Sequence, residues 1–252
     1  MTSPDGATWT PQTSAGDYNW DAVTYGNGKF VAVSFEGHMM YSSNSGGTWS
    51  LGTCPGNNCA GAWDGVIYGG GKFVAVGVYS GGAANSINTK VMTSPDGITW
   101  TAGIANLQNG WAGVAYGNSV FAAVYNGGAS TSPDGGTWTD AAAPGNTWRA
   151  ITFGNNMFVA TGFSGSMSSS ADGSTWSMGN APAPGYWASV TYGNNLFVSV
   201  PDNSFWQGDE HVIYSSDGIN WTAAGTGGST FLTIDVKGTY KNTTRAVELG
   251  TQ

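Results

Sequence analysis

The residues able to do chemistry are few and scattered. The 252-residue chain holds two arginines, Arg149 and Arg245, two histidines, His38 and His211, and two cysteines, Cys54 and Cys59. Its three glutamates are Glu36, Glu210 and Glu248. Seven aspartates, Asp17, Asp21, Asp64, Asp140, Asp202, Asp209 and Asp235, stand outside a recurrent turn described below. A glycosidase needs two carboxylates facing one sugar, and no spacing here recommends a pair. No Ser–His–acid pattern and no phosphate loop is present. These residues point away from catalysis and imply neither cofactor nor metal. Cys54 and Cys59 bracket Pro55-Gly56-Asn57-Asn58. That spacing allows a local disulfide, which would imply an oxidising exterior, or leaves two free thiols. One pair is too few for a closed structural zinc site.

Charge narrows the classes further. The formal net charge is −8 with seven basic residues, so no basic patch is available for nucleic acid. No run approaches the roughly 20 apolar residues of a membrane-spanning helix, and membrane insertion is not expected. No basic segment followed by an apolar one opens the chain, so no secretory signal is expected there. Gly contributes 41 residues, and Trp, Tyr and Phe contribute 12, 11 and 10. Glycine at that level disfavours helices, and aromatic residues suit short strands joined by tight turns.

The elements that must position any site come from internal repetition. One segment begins Trp20-Asp-Ala-Val-Thr-Tyr25-Gly-Asn-Gly-Lys-Phe30-Val-Ala-Val33 and returns at 63–76, 111–124, 148–161 and 187–200. A second begins Ser3-Pro4-Asp5-Gly6-Ala7-Thr8-Trp9 and returns, at one length, at 43–49, 94–100, 132–138, 170–176 and 215–221. Trp20–Tyr25 reads as a first strand and Phe30–Val33 as a second. Between them Tyr25-Gly-Asn-Gly signals a two-residue type I′ hairpin, which needs positive φ at both central positions. The third strand ends in Ser-x-Asp-Gly and the fourth starts at Thr-Trp. Tandem four-stranded units of about 40 residues predict an all-β fold, a β-propeller.

Five first halves stand against six second halves. The surplus half lies at the start of the chain. Two strand-like runs at its end, 230–236 and 244–249, could join residues 1–10 in a sixth blade, with residues 223–252 closing the ring; otherwise five blades close and 223–252 is an appendage. On either count the chain is read as one domain, 1–252.

The second segment resembles the Asp-box, or BNR repeat, of sialidase-like propellers, through Ser3, Asp5, Gly6, Thr8, Trp9 and their equivalents over residues 1–222. Its carboxylate should accept backbone N–H groups of its own turn, and its Trp should pack on the neighbouring blade. Ser45, in the place of Asp, should make the second copy weakest. In the family these turns lie opposite the active site, which argues against Asp5, Asp96, Asp134, Asp172 and Asp217 as catalysts. Sialidases clamp their substrate carboxylate with three arginines, and two are too few.

The hairpin and box turns share one face, so the variable loops fall on the other, where function usually sits on a rigid scaffold. The loop 201–212 departs most from the repeat. It sets Trp206 beside Asp209, Glu210 and His211, an aromatic platform with hydrogen-bonding groups suited to a sugar. Tyr79 opens a second polar excursion, and Tyr18, Glu36 and His38 are further ligand-binding candidates. The expected function is a non-catalytic binding or structural propeller, extracellular or on a virion surface. It would attach to a carbohydrate or a protein surface, gaining strength from multivalent display. The alternative is a carbohydrate-active enzyme of sialidase-like fold.

Overall fold

The structure, a computed structural model, describes residues 1–54, 62–78, 91–104, 110–144, 147–182, 185–201 and 212–224. The described residues form five antiparallel four-stranded sheets, each taking its strands in chain order. The first blade comprises β1 (Trp20–Gly26), β2 (Lys29–Ser34), β3 (Met39–Ser42) and β4 (Ser50–Leu51). The second comprises β5 (Ala62–Gly69), β6 (Lys72–Val78), β7 (Val91–Ser94) and β8 (Thr101–Ala102). The third comprises β9 (Trp111–Gly117), β10 (Val120–Tyr125), β11 (Gly128–Ser132) and β12 (Thr139–Ala141). The fourth comprises β13 (Trp148–Gly154), β14 (Met157–Gly162), β15 (Met167–Ser170) and β16 (Ser177–Met178). The fifth comprises β17 (Trp187–Gly193), β18 (Leu196–Pro201), β19 (Ile213–Ser215) and β20 (Thr222–Ala223). Inner strands pack in sequence, β1 on β5, β5 on β9, β9 on β13 and β13 on β17.

The first hairpin of every blade is the tight turn its sequence demands. Gly26 pairs with Lys29, and the two central residues, Asn27 and Gly28, have φ of 46° and 73°. The same pair of positive φ values recurs at Gly70–Gly71, Asn118–Ser119, Asn155–Asn156 and Asn194–Asn195. Type I′ geometry matches the right-handed twist of the strands it joins, and Asn tolerates the left-handed region better than most residues.

Each core lies between blades. Val31, Val33 and Met39 of the first blade pack with Trp63, Phe73 and Trp100 of the second. Val74, Val76 and Val91 of the second meet Trp111, Phe121 and Trp138 of the third. The same arrangement joins the third to the fourth through Trp148 and Trp176, and the fourth to the fifth through Trp187 and Trp221. Burying such aromatic bodies supplies the main favourable term in each interface.

The Ser-x-Asp turns are self-contained networks. In the second blade Ser94 donates to Asp96 Oδ1 at 3.0 Å and accepts the Gly97 N–H at 2.8 Å. Asp96 Oδ1 accepts the N–H groups of Ile98 and Thr99 at 2.8 and 2.9 Å. Asp5, Asp134, Asp172 and Asp217 repeat the pattern. The N–H of Thr8, then that of Ala7 and the Ser3 hydroxyl, hold Asp5 down at about 2. Two details differ from the sequence reading. The Trp ends the turn, and the fourth strand starts one residue later. The first blade's turn is one residue longer than the others: Ser42 takes the Ser role and Asn44 the Asp role. Ser45 is the inserted residue, accommodated at φ 59°. An amide oxygen accepts as a carboxylate does, but Asn44 Oδ1 receives the backbone N–H of Thr48 only, while Gly47 N–H turns to the Asn44 backbone carbonyl.

Both turn types occupy one face, as expected. Asn27 Nδ2 donates to the Pro95 carbonyl of the next blade's turn, Asn118 Nδ2 to Ala171 and Asn155 Nδ2 to Ser216. Residues 2 and 10 bridge each other in a short N-terminal hairpin. Of the segment 223–252, read from sequence as ring closure or appendage, Ala223 belongs to β20 of the fifth blade, and residues 225–252 lie outside the described residues.

Candidate functional site on the loop face

At the loop-face end, all five inner strands carry the same irregularity. The register slips between Trp20 and Ala22, Trp63 and Gly65, Trp148 and Ala150, and Trp187 and Ser189. In the third blade it slips between Val124 and Tyr125, opposite Ala112. Each bulge skips one position in the strand register, directly after the repeated Trp: Asp21, Asp64, Ala112, Arg149 and Ala188. A bulge re-aims a side chain and is over-represented beside functional sites. Inner strands encircle the axis, so these five positions ring its loop-face end. Three of them are charged. Sequence reasoning counted Asp21, Asp64 and Arg149 without setting them together. The signal was there: within an otherwise repeated segment, the position after Trp changes from blade to blade.

The first blade gathers three of the expected ligand-binding residues. Tyr18 stacks on His38 with ring centroids 3.7 Å apart and planes 21° from parallel. It also meets Trp20 edge-on at 5.8 Å. The turn that carries His38 is closed locally: Ser34 N–H donates to the His38 carbonyl and His38 N–H to Ser34 Oγ. Glu36 holds the preceding loop, its Oε2 accepting the Asn19 backbone N–H at 2.9 Å and its Oε1 the Asn19 side-chain amide.

Asp21 adjoins this group through the Phe35 N–H and the charge of Glu36. Burial, and then the negative charge of Glu36, push its carboxyl up to about 6, against the pull of the Phe35 N–H. Its Oδ2 is buried and accepts no hydrogen bond from the described residues. Two neighbouring carboxylates, one of them raised, are what a glycosidase acid would require, but Glu36 is engaged through both oxygens in tying residue 19. The pair therefore reads as a loop clip rather than as two groups poised on a substrate.

A second group lies across the ring. The Arg149 guanidinium carbon sits 4.8 Å from the centroid of Phe163, a cation–π distance. Phe163 in turn meets Tyr186 of the next inter-blade loop at 5.0 Å, nearly perpendicular. Phe163 N–H donates to Thr147 and Gly165 N–H to Gly185, so the loops on either side of the fourth blade are bound to it. Tyr79, Trp206, Asp209, Glu210 and His211 lie outside the described residues. Cys54 is disulfide-bonded, and Cys59 is the chain's other cysteine.

Comparison with known proteins bears on the architecture. A solved structure described as YCF48 bound to D1 peptide is similar, with a TM-score of 0.59 at 15% identity over 81% of this chain and 66% of that one. YCF48 from Cyanidioschyzon merolae gives 0.59 at 10% identity over 82% and 72%. The computationally designed Ika8 protein gives 0.50 at 12% over 81% and 73%. The fold is a β-propeller. The chain spans about two thirds of the length of the first of these structures, and at such identities the likeness is one of fold. No family model and no curated protein sequence matches the chain.

Proposed function

We propose that this propeller is a non-catalytic recognition module whose loop face binds an exposed segment of a protein partner. The observation that carries the reading is the set of bulged positions. Five equivalent backbone irregularities set different residues at one end of the axis, with Asp21 and Asp64, each with one carboxylate oxygen buried, on adjacent blades and Arg149 further round the ring beside Phe163, which meets Tyr186. A rigid frame with acidic, basic and aromatic groups on one face suits a ligand with both polarity and apolar bulk. A peptide is such a ligand, and a propeller of similar fold is described with a peptide bound.

A glycan is the second reading. It rests on the Tyr18–His38 stack beside Asn19 and Glu36, a flat surface edged by hydrogen-bonding groups. The Ser-x-Asp turns support placing the chain among Asp-box propellers, and the disulfide at Cys54 supports an extracellular or virion-surface setting. Multivalent display would strengthen a contact that is weak per site.

The test is a binding screen on a peptide library and a glycan array with wild type, Arg149→Ala and Tyr18→Ala. Loss in Arg149→Ala on peptides supports the first reading, and loss in Tyr18→Ala on glycans the second. Binding unchanged in both variants places the ligand elsewhere.

A further inference from the structure

Four interfaces between consecutive blades follow one plan. A branched residue of each inner strand rests on a small residue of the preceding blade, and an aromatic two positions later rests on its glycine. Val114 stands 3.5 Å from where a Cβ on Gly65 would lie, and Ile151 stands 3.4 Å from one on Gly113. Val66 and Tyr68 group with Ala22, and Val190 and Tyr192 with Ala150. The series stops at both ends. Val23 and Tyr25 of β1 are each 60% exposed. Among the described residues nothing lies within 4 Å of a Cβ on Gly193 of β17. Among the described residues, then, the backward face of the first blade and the forward face of the fifth are unpartnered, and no packed interface joins β17 to β1.

The N-terminal hairpin measures the gap. A Cβ on Gly46 of the first blade would meet Thr2 Cγ2 at 2.8 Å, and one on Gly173 of the fourth would meet Thr131 Cγ2 of the third at 3.0 Å. Thr2 thus stands to the first blade as Thr131, in a third strand, stands to the fourth. Residues 1–10 are the outer half of a blade that precedes the first. Its inner half is missing from the described residues, which leaves Trp9 54% exposed where Trp100, Trp138, Trp176 and Trp221 are buried. A Cβ on Gly218 would meet Val159 of the preceding blade at 2.6 Å, whereas one on Gly6 meets nothing within 4 Å.

We propose that residues 225–252 of this chain fill the slot as the two inner strands of a sixth blade, completed by the hairpin 1–10. Continuity selects this occupant. After β4, β8, β12 and β16 the chain passes directly to the inner strand of the next blade, and after β20 it leaves from the same position beside the open slot. Length agrees. From the end of β12 at Ala141 to the end of β14 at Gly162 is 21 residues, and from β16 at Met178 to β18 at Pro201 is 23; 28 follow Ala224. Closure also removes the two apolar faces that otherwise stand in water.

Amide hydrogen exchange on the intact chain tests the proposal. Peptides spanning 230–249 are expected to show protection comparable to β17, and complete exchange at the first time point would overturn it. Gly193→Ala is the second measurement. Gly193 is not at positive φ, so alanine brings no backbone strain, and in an open slot it would be neutral. In a filled slot it collides with the incoming strand, as alanine at Gly154 collides with Tyr192. The expected result is a fall of several degrees in Tm for both variants; an unchanged Tm for Gly193→Ala alone would refute closure. Light scattering over a dilution series separates the occupants. Protection that persists in the monomer supports the chain's own tail, and protection lost on dilution of a dimer would assign the slot to a second copy.

Discussion

The ring of Tyr68 occupies the space in which a side chain on Gly26 would stand. Tyr116 stands in the same relation to Gly69, Phe153 to Gly117 and Tyr192 to Gly154. Each of these inner strands therefore ends in a glycine for the sake of the next blade's aromatic ring, and the glycine is a packing requirement rather than a turn requirement.

Gly69→Ala should destabilise by about 1–3 kcal/mol, the usual cost of overpacking a closed contact. Chemical denaturation read by tryptophan fluorescence checks it. A variant as stable as wild type would mean that Tyr116 moves aside freely.

Asp96→Ala should cost about 1–3 kcal/mol, because the N–H groups of Ile98 and Thr99 lose their acceptor. Trp100→Ala should cost about 3–5 kcal/mol, as a buried aromatic lost from an inter-blade core. Asn44→Ala should cost less than Asp96→Ala, because Asn44 Oδ1 serves one backbone N–H where Asp96 Oδ1 serves two. Equal losses at residues 44 and 96 would show that the carboxylate adds nothing to the turn.

Stability should fall on both sides of a weakly acidic optimum. Asp21 is raised from 3.8 to about 6, so the folded state holds its proton more tightly. Stability from this group is complete below pH 4 and is lost as pH rises from about 4 to 6. Asp21→Asn should then exceed wild type by about 1 kcal/mol above pH 6, after allowance for solvent screening, and match it below pH 4. The turn aspartates act in the opposite sense. Asp5, Asp96, Asp134, Asp172 and Asp217 are all lowered, so their contribution is lost as pH falls below about 4. Thermal melts from pH 2 to 8 for both proteins read the two limbs separately. An Asp21→Asn profile parallel to wild type across pH 4–6 would remove Asp21 from this account.

Purified protein should release no sialic acid from a fluorogenic sialoside. The chain has two arginines for a three-arginine clamp, and Glu36 is committed to residue 19. Release that disappears in Arg149→Ala would reverse this assignment.

Repetition determined most of the architecture before any coordinate. Asn27-Gly28 and its four equivalents need positive φ, and the Asp96 turn needs only its own backbone, so local chemistry was enough to place hairpins and turns. The Trp spacing announced the blades. A local shift was still misread at residues 42–49, because Ser43 mimics Ser42 in type and only the hydrogen bonds show which hydroxyl caps the turn. Tyr18, Glu36 and His38 are legible in the sequence as ligand-binding candidates, but their stacking and clipping depend on two loops meeting across 17 to 20 residues of chain. Asp21, Asp64 and Arg149 sit inside the repeat, where a variable position looks like ordinary surface drift. A bulge is a property of paired strands, so only the tertiary structure could set those three residues at a common end of the axis. Gly26 and Tyr68 make the same point for packing: each is legible as a residue type, but that one exists to receive the other follows only from the sheets lying face to face.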